Sequence, residues 1–315
     1  MSASRRRLTS TISTLPALFN DSSPTYLRLL AQLLALGQGA LVHLPESHDP
    51  RIVEASHIVD SLGVNCLLSK GDDQPGQGSF LSVPAVDLDS SAKLLMDGTV
   101  DASVVGVSIS SRDVLAASLR GVGRRTEDTL ISSLMLMVVN DRVLGFGDCV
   151  VNPTPDSDQL ATIAVDCAAA FRYLTGVEPQ IAMLSFSSWG SAPHPQSDKV
   201  REATSRVRER CPKLQVEGEL QVDAALVAEV AQSKTPDSQV PGTANLLIFP
   251  SLEAGNIGYK LTERLAGAQV VGPAILGLSK PFLDISRGSG VREIVAQCLL
   301  AAALSCVPAT HMVPA

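Results

Sequence analysis

The fold is decided by three consecutive stretches of the sequence, Ala40-Leu-Val-His-Leu44, Pro50-Arg-Ile-Val-Glu-Ala-Ser-His-Ile-Val-Asp-Ser-Leu62 and Val64-Asn-Cys-Leu-Leu68. The first and third are short apolar runs typical of buried strands, and the second has the apolar spacing of an amphipathic helix. Asp49 predicts an N-cap with proline at the first helical position. A strand, a helix and a strand in succession predict a parallel βαβ unit, and therefore an α/β fold.

The alternation of strand and helix patterns continues to the end of the chain. Further strands are predicted at residues 101–107, 181–186 and 244–249, and a hairpin with a tight Asn140-Asp141 turn at residues 130–148. Further helices are predicted at residues 160–174, 198–210, 223–233 and 290–305. The glycines, prolines and acids of residues 71–91 predict a loop.

Length and composition limit the classes of protein to which the chain can belong. Its 315 residues suggest two domains. The formal net charge is −7 and the aromatic fraction is 3%. A nucleic-acid binder needs a basic face and stacking aromatic residues, so this balance argues against one. The longest apolar run, residues 294–307, is shorter than the roughly 20 residues of a membrane span, and we expect no membrane insertion.

The cysteines and the N-terminal segment bear on cellular location. The six cysteines are scattered without CxxC or zinc-ligand spacing, which predicts reduced thiols, no metal site and a cytoplasmic protein. The first twenty residues contain Arg5, Arg6 and Arg7 but no acidic residue. That composition is typical of a transit peptide, and a frayed terminus is the interpretation we prefer.

Three junctions place small polar residues where open α/β sheets bind ligands, at the carboxyl ends of strands. The first is Leu184-Ser-Phe-Ser-Ser-Trp-Gly-Ser-Ala192. Its hydroxyl and backbone N–H groups suit an oxyanion, and an ordinary serine-rich turn is the alternative. The candidate substrate-binding residues are Ser185, Ser187, Gly190 and Ser191.

The second junction is Pro250-Ser-Leu-Glu-Ala-Gly-Asn-Ile-Gly-Tyr-Lys260, which we interpret as a glycine-containing loop that opens a helix at Tyr259. Asn256 and Lys260 are suited to holding an anion, the lysine as a point charge. The alternative is a capped helix entry with a solvated lysine. Asn256, Tyr259 and Lys260 are the candidate binding residues.

The third junction is Asp284-Ile-Ser-Arg-Gly-Ser-Gly-Val-Arg-Glu-Ile-Val295. Ser286 and Arg287 precede two glycines and a predicted helix, whose unpaired N–H groups and dipole favour an anion. Glu293 falls in the first turn or so of that helix. A hydroxyl, a guanidinium and a carboxylate together suit acyl transfer with a phosphorylated substrate. Alternatively, Glu293 only complements the helix dipole.

Residues 130–303 resemble the phosphate acetyltransferase (phosphotransacetylase) family. The resemblance rests on an ordered series of motifs, among them Phe146-Gly-Asp-Cys-Val-Val-Asn-Pro-Thr-Pro155, Glu217-Gly-Glu-Leu-Gln-Val-Asp-Ala-Ala225, Gly255-Asn-Ile-Gly-Tyr-Lys260 and Asp284-Ile-Ser-Arg-Gly288. Upstream, Leu44-Pro-Glu-Ser47, Asp49 and Arg51 resemble the family's opening strand, loop and helix.

The resemblance implies a fold, a reaction and partners. The fold is that of isocitrate and isopropylmalate dehydrogenases, with two α/β domains flanking a cleft, here residues 1–128 plus 273–315 and residues 129–272. The reaction interconverts acetyl-CoA and phosphate with acetyl phosphate and coenzyme A. Coenzyme A is a co-substrate, no cofactor is bound permanently, and the protein is expected to be a homodimer.

The resemblance also implies roles for the third junction. Ser286 and Arg287 would stabilise the reacting groups, while Glu293 stands where the family has an aspartate that deprotonates the thiol of coenzyme A. Ala116 stands where the family has an arginine that contacts coenzyme A, and Arg112, four residues earlier, is the candidate substitute. A second such arginine belongs to a helical stretch whose place is taken by residues 71–91, so the first domain is expected to be shortened.

Three functions remain open. The first is phosphate acetyltransferase of acetate metabolism, with phosphate butyryltransferase as its chemical neighbour. The second is a catalytically weakened paralogue that acts as a ligand sensor or partner subunit, motivated by Glu293, Ala116 and the shortened first domain. A dehydrogenase of the same fold is the third, and the sequence contains neither a nicotinamide fingerprint nor a metal-binding acid cluster.

Overall fold

The computed structural model describes residues 15–69, 80–81 and 87–307. These residues form two compact units. One comprises the described residues up to Thr129 together with Val271–Val307, and the other comprises Leu130–Val270. Each unit is built on its own sheet of mainly parallel strands with helices packed on it, so the predicted α/β class is confirmed.

The first unit is built on a five-stranded, all-parallel sheet. Its strands are β1 Leu41–Leu44, β2 Asn65–Ser69, β3 Phe80–Leu81, β4 Ala102–Val105 and β11 Phe282–Asp284, in the spatial order β11-β4-β1-β2-β3. Its described α-helices are α1 Leu15–Leu18, α2 Pro24–Leu36, α3 Pro50–Leu62, α4 Leu88–Met96, α5 Ser111–Ala117 and α11 Val291–Ser305, and a short π-helix, Ser118–Val122, follows α5. Because all five strands are parallel, the loops after β1, β4 and β11 leave the same edge of the sheet.

Helix α3 agrees with its prediction, whereas the predicted loop at residues 71–91 needs correction. The carboxylate of Asp49 accepts the Arg51 N–H at 2.9 Å, and Gly63 ends α3 in the left-handed conformation. Phe80 and Leu81 form β3, which pairs with β2, and residues 88–91 are helical because the Asp87 carboxylate accepts the Asp89 N–H and begins α4. Residues 71–79 and 82–86 lie outside the described residues, as do residues 1–14 of the N-terminal segment.

The other sheet is mixed and six-stranded, and all of its strands but the last lie within the second unit. That last strand, Gln269–Leu276, starts in the second unit and runs past its boundary at Val270. The strands of this sheet are β5 Ser132–Val139, β6 Arg142–Gly147, β7 Gln180–Leu184, β8 Gln215–Leu220, β9 Leu246–Ile248 and β10 Gln269–Leu276, in the order β10-β5-β6-β9-β7-β8. The predicted hairpin is confirmed, since β5 and β6 are antiparallel and their turn residues Asn140 and Asp141 have φ values of 50° and 58°. Both lie in the left-handed region that a tight hairpin turn requires.

The second unit has five helices, and two of them replace one predicted helix. The five helices are α6 Ser157–Thr175, α7 Pro195–Arg210, α8 Val222–Leu226, α9 Ala228–Lys234 and α10 Leu252–Ala266. The single helix predicted at residues 223–233 is two helices broken at Val227, whose backbone is extended. Gly242 packs on this break so tightly that a Cβ there would lie 2.4 Å from the Ala228 nitrogen. The break therefore depends on a distant segment that the local pattern does not contain.

Candidate active site

The segment that joins β11 to α11 forms an exposed tight turn. The Ser289 N–H donates to the Ser286 carbonyl at 2.9 Å, and the Gly288 N–H lies 3.4 Å from the Ser286 hydroxyl oxygen. Ser286 and Arg287 are both exposed. Within the part of the chain that the structure describes, neither their N–H groups nor the Arg287 guanidinium has a hydrogen-bond acceptor. The turn therefore presents several donors to a ligand.

Glu293 lies in the first turn of α11, seven residues after Ser286. Its Oε2 accepts the Gly290 N–H at 2.9 Å, and the side chain is exposed. This contact is the helix-capping role that the sequence left as the alternative to catalysis. Among the described residues, Oε1 of Glu293 accepts no hydrogen bond. Ser286, Arg287 and Glu293 thus lie in one segment of the first unit.

Two acidic residues lie behind this turn, and sequence reasoning assigned no role to either. Glu46 is fully buried, and its carboxylate accepts the N–H groups of Gly106, Val107 and Ser108 at 2.6–3.0 Å and the Ser108 hydroxyl at 2.6 Å. It therefore ties the loop after β1 to the loop after β4. The motif Leu44-Pro-Glu-Ser47 was the available signal, because an acid between a buried strand and a helix N-cap needs a partner.

Asp284, the last residue of β11, is the second of these acids. Its Oδ1 is buried without a hydrogen-bond partner among the described residues. Burial raises the pKa of this carboxyl to about 6, and the charge of Glu46 adds to the rise. A carboxyl with a raised pKa therefore lies two residues before Ser286.

Arg112 lies in the first turn of α5, also in the first unit. Its side chain is exposed, and no described residue hydrogen-bonds to it. Ala116 is one helical turn further along and partly buried. Arg112 is therefore available to a ligand, but its four-residue offset from position 116 moves its charge by about one helical turn.

The serine-rich loop after β7 is held through its own N–H groups. Gly190 N–H donates to Glu219 Oε1 at 2.7 Å, Ser188 N–H to the Ser191 hydroxyl at 3.1 Å, and Ala192 N–H to the Ser187 hydroxyl at 3.1 Å. These donors are consumed by the loop itself and by Glu219 on β8. The geometry favours the serine-rich turn over the oxyanion cradle.

The buried carboxylate of Glu219 organises this loop. It accepts the Ser187 hydroxyl at 2.9 Å and the Arg201 Nε at 3.2 Å in addition to Gly190. Burial opposes ionisation, but these hydrogen bonds outweigh it and lower the pKa of Glu219. Ser187 is itself fully buried, whereas Ser185 is partly buried and Gly190 and Ser191 are exposed.

A cleft of about 800 Å³ opens beside the same loop. Its lining within the second unit includes Trp189, Gly190, Arg201, Arg208 and Gln239. Both arginines already pair with buried glutamates, Arg201 with Glu219 and Arg208 with Glu217. The cleft therefore offers Gly190 and the exposed Trp189 ring to a ligand rather than free cationic charge.

The second junction is a helix, which corrects the predicted glycine-containing loop. Ser251 caps α10, and Gly255 lies within this helix. A Cβ at position 255 would be 2.5 Å from the Asp148 carbonyl oxygen, so the helix needs a glycine there. Asn256 donates from Nδ2 to the Cys149 carbonyl at 3.1 Å. The glycine and the asparagine thus serve close packing of α10 on the loop after β6.

Tyr259 and Lys260 lie further along α10. Lys260 is exposed, with Nζ 4.8 Å from the centroid of the Tyr259 ring, and Tyr259 packs against the apolar core of the second unit. A cation over an aromatic face is weakly stabilised there. Among the described residues, no three His, Cys, Asp or Glu side chains converge as a metal site would require.

Comparison with known proteins assigns the chain to a family. A family model described as "Phosphate acetyl/butaryl transferase" matches residues 87–302. The chain belongs to this family. The phosphate acetyltransferase of Thermoanaerobacterium thermosaccharolyticum is 44% identical over 208 residues, which are 64% of this chain and 63% of that protein. The phosphate acetyltransferase of Paracoccus denitrificans is 34% identical over 289 residues, 80% of this chain and 91% of that protein.

Solved structures agree with the family assignment. The EutD phosphotransacetylase of Staphylococcus aureus superposes with a TM-score of 0.80 at 30% identity, covering 90% of this chain and 100% of that chain. A Streptococcus pyogenes phosphotransacetylase gives 0.81 at the same identity. The match to several curated relatives is shorter, because the chain spans about 63% of the length of the Thermoanaerobacterium and Acetivibrio thermocellus proteins.

Proposed function

We propose that the chain is a phosphate acetyltransferase that interconverts acetyl-CoA and phosphate with acetyl phosphate and coenzyme A. The observation that carries the proposal is the exposed Ser286–Arg287 turn, whose N–H and guanidinium donors have no acceptor among the described residues. Such donors suit the phosphoryl oxygens and the oxyanion of an acyl phosphate. Family membership and relatives with this activity support the same reaction.

In the proposed mechanism Glu293 acts as the general base. Its unpaired Oε1 accepts the proton of the coenzyme A thiol, and the thiolate attacks the acyl carbon of acetyl phosphate. The carbon–sulfur bond forms, the bond from the acyl carbon to the phosphate oxygen breaks, and phosphate leaves. Arg287 and the Ser286 hydroxyl stabilise the negative charge on the reacting groups. In the reverse direction phosphate attacks the thioester.

Four candidate residues of the second unit are proposed as substrate contacts, and none of the unit's candidate residues as a catalytic group. Gly190, Ser191 and Lys260 are exposed and Ser185 is partly so, which supports a binding role. For Ser187, Asn256 and Tyr259 the structure supports a supporting role, since their polar atoms or ring pack inside the unit. Arg112 is proposed to contact a phosphate of coenzyme A.

The test is release of free thiol from acetyl-CoA in the presence of phosphate by the purified protein. We expect release that depends on phosphate and falls by about 100-fold or more in Ser286→Ala and Arg287→Ala, because each loses a transition-state contact. Arg172→Ala, in the second unit, is the matched control and keeps the wild-type rate. The absence of phosphate-dependent release, beside an active relative assayed in parallel, would leave the weakened paralogue as the function.

Acyl-chain preference is measured in the same assay. We expect acetyl-CoA to be preferred over butyryl-CoA in kcat/KM. The opposite preference would assign the chain to phosphate butyryltransferase activity, with the Ser286–Arg287 turn in the same role.

We also propose that the protein is a cytoplasmic homodimer. Helix α10 exposes an apolar stripe of Ile257, Leu261 and Leu265, four residues apart, and Leu265 is 82% exposed. A second copy would cover this stripe. All six cysteines are free and five are buried, which supports a reducing compartment. No described helix is long and apolar enough to cross a bilayer. Light scattering of wild type and Leu261→Glu tests the dimer, and an unchanged mass would place the interface elsewhere.

A further inference from the structure

Arg51, in the first turn of α3, is held in a fixed orientation by Asp49. Nε of Arg51 donates to both carboxylate oxygens of Asp49, at 3.0 and 3.2 Å, and Nη2 donates to Oδ2 at 2.6 Å. The hydrogen bond from Arg51 is the largest cause that lowers the pKa of Asp49, so this carboxylate stays ionised into acid. Two of the three guanidinium nitrogens thus bind the carboxylate of the N-cap residue Asp49, which leaves only Nη1 for other acceptors.

Nη1 of Arg51 reaches the turn that carries Ser286 and Arg287. It donates to the backbone carbonyl of Arg287 at 3.0 Å and to that of Ser289 at 2.7 Å. Arg287 and Ser289 are both more than 230 positions away from Arg51 in the sequence. A single nitrogen therefore joins both carbonyls on one side of the turn to the helix N-terminus at α3.

The chemistry of the contact explains why a guanidinium occupies this place. Two carbonyl oxygens that converge on one point repel each other unless a donor lies between them. Because Arg51 holds the turn through its carbonyls, the N–H groups of Ser286 and Arg287 stay unpaired. A lysine carries the same charge but has no planar fork that can bind the Asp49 carboxylate on one edge and the carbonyls on the other.

We propose that Arg51 is a positioning residue for the proposed reaction, which orients the Ser286–Arg287 turn without touching substrate. This inference rests on the proposed function. Losing the contact lets the turn move, and a displacement of about 1 Å at the reacting groups costs on the order of 100-fold in rate. The loss falls on kcat, because binding contacts elsewhere remain.

The experiment compares Arg51→Ala, Arg51→Lys and Asp49→Asn with the wild type. We expect kcat to fall by roughly 10- to 100-fold in Arg51→Ala and by a similar factor in Arg51→Lys, while KM for acetyl-CoA stays within about threefold. Asp49→Asn keeps the cap acceptor but loses the ion pair, so its kcat falls less. Millimolar ethylguanidine should restore part of the activity to Arg51→Ala. Arg172→Ala, which loses only a surface pair with Glu178, is the matched control.

A second measurement does not depend on activity. Hydrogen exchange followed by mass spectrometry should show faster exchange in Arg51→Ala for the peptide covering residues 286–290, and unchanged exchange in β2 and β7. Inactivity of the wild type together with this local change would reject the proposed function and keep the positioning role. Wild-type kcat in Arg51→Ala, or exchange at residues 286–290 equal to that of the wild type, would overturn the inference. If Arg51→Ala does not fold, Arg51→Lys gives the same decision.

Discussion

The turn at residues 286–289 and the loop at residues 185–192 look alike in the sequence, yet they are held in opposite ways. Arg51 holds the turn by donating to its carbonyls, which leaves N–H groups unpaired. Glu219 holds the loop by accepting its N–H groups, which leaves few donors for a ligand. Support by a cation prepares a segment to bind an anion, whereas support by a buried carboxylate makes it a scaffold.

The buried acids behind the two segments differ in the same sense. Glu219 accepts hydrogen bonds from Ser187, Gly190 and Arg201, and its pKa is lowered. Asp284 has an oxygen without a partner among the described residues, and burial raises its pKa. Hydrogen bonds therefore outweigh burial at Glu219, whereas burial outweighs the stabilising contacts at Asp284.

The largest expected effect on stability is that of Glu219→Ala. It leaves Arg201, the Gly190 N–H and the Ser187 hydroxyl without their acceptor, so the free energy of unfolding should fall by about 3–5 kcal/mol, measured by urea denaturation. The lowered pKa of Glu219 means that its contribution exists at neutral pH and is lost as pH falls through that pKa. The difference in the free energy of unfolding between the wild type and Glu219→Ala should therefore become smaller in acid.

The control for that measurement is Glu202→Ala. Glu202 is exposed and pairs with Arg206 on α7. Its removal should change the free energy of unfolding very little, because an ion pair between exposed side chains adds little stability. Equal losses in the two variants would contradict the scaffold role of Glu219.

The second effect is the pH dependence of Asp284→Asn. The folded pKa of about 6 lies above the ordinary value of 3.8, so the folded state keeps a proton that the unfolded chain releases between these values. Wild-type stability therefore falls as pH rises from about 4 to 6, and the asparagine variant lacks this fall. At 1.36 kcal/mol per pKa unit, the variant should gain up to roughly 3 kcal/mol on the wild type between pH 4 and 7.

Denaturation at several pH values, with exposed Asp128→Asn as the matched control, measures this difference. If the difference in the free energy of unfolding between Asp284→Asn and the wild type stays constant from pH 4 to 7, the carboxyl of Asp284 is not buried as described. That result would also remove the contrast between the two acids.

The smallest expected effects come from paired serine substitutions. Ser187→Ala removes a buried hydroxyl that bonds Glu219 and Ala192, and it should cost about 1–2 kcal/mol of stability with little change in kcat. Ser286→Ala should change stability by less than about 0.5 kcal/mol, because the hydroxyl is exposed, yet lower kcat strongly. Thermal melts and the thiol assay read both quantities, and the reverse pattern would exchange the roles of the two segments.

Local signals made part of the fold predictable. Asp49 and Pro50 mark the start of α3 within the sequence itself, and the turn residues Asn140 and Asp141 mark the hairpin. The start of α10 was missed because Gly255 suggests a loop, although the helix needs a glycine there to approach the Asp148 carbonyl. Contacts between distant residues leave no such local trace.

The candidate site likewise contains residues that neighbouring sequence predicts and contacts between distant residues that it does not predict. Ser286, Arg287 and Glu293 could be proposed from the sequence because they lie close together around the start of one helix, and they share one exposed segment in the structure. Sequence reasoning could not find the contacts of Arg51 with the turn or those of Glu219 with the loop, since these partners are distant in the sequence and only the fold brings them together.

The late return of the chain to the first unit has a consequence for synthesis. β11 and α11 complete that unit, with β11 pairing to β4 and α11 packing on α2 and α3, but they are translated after all of Leu130–Val270. At about 5–20 residues per second, a ribosome needs roughly 10–35 s to extend the chain from residue 130 to residue 307. During that interval β4 is an open edge, and the turn with Ser286 and Arg287 does not exist. The contiguous second unit can fold first, and the nascent first unit is the part that a chaperone would need to protect.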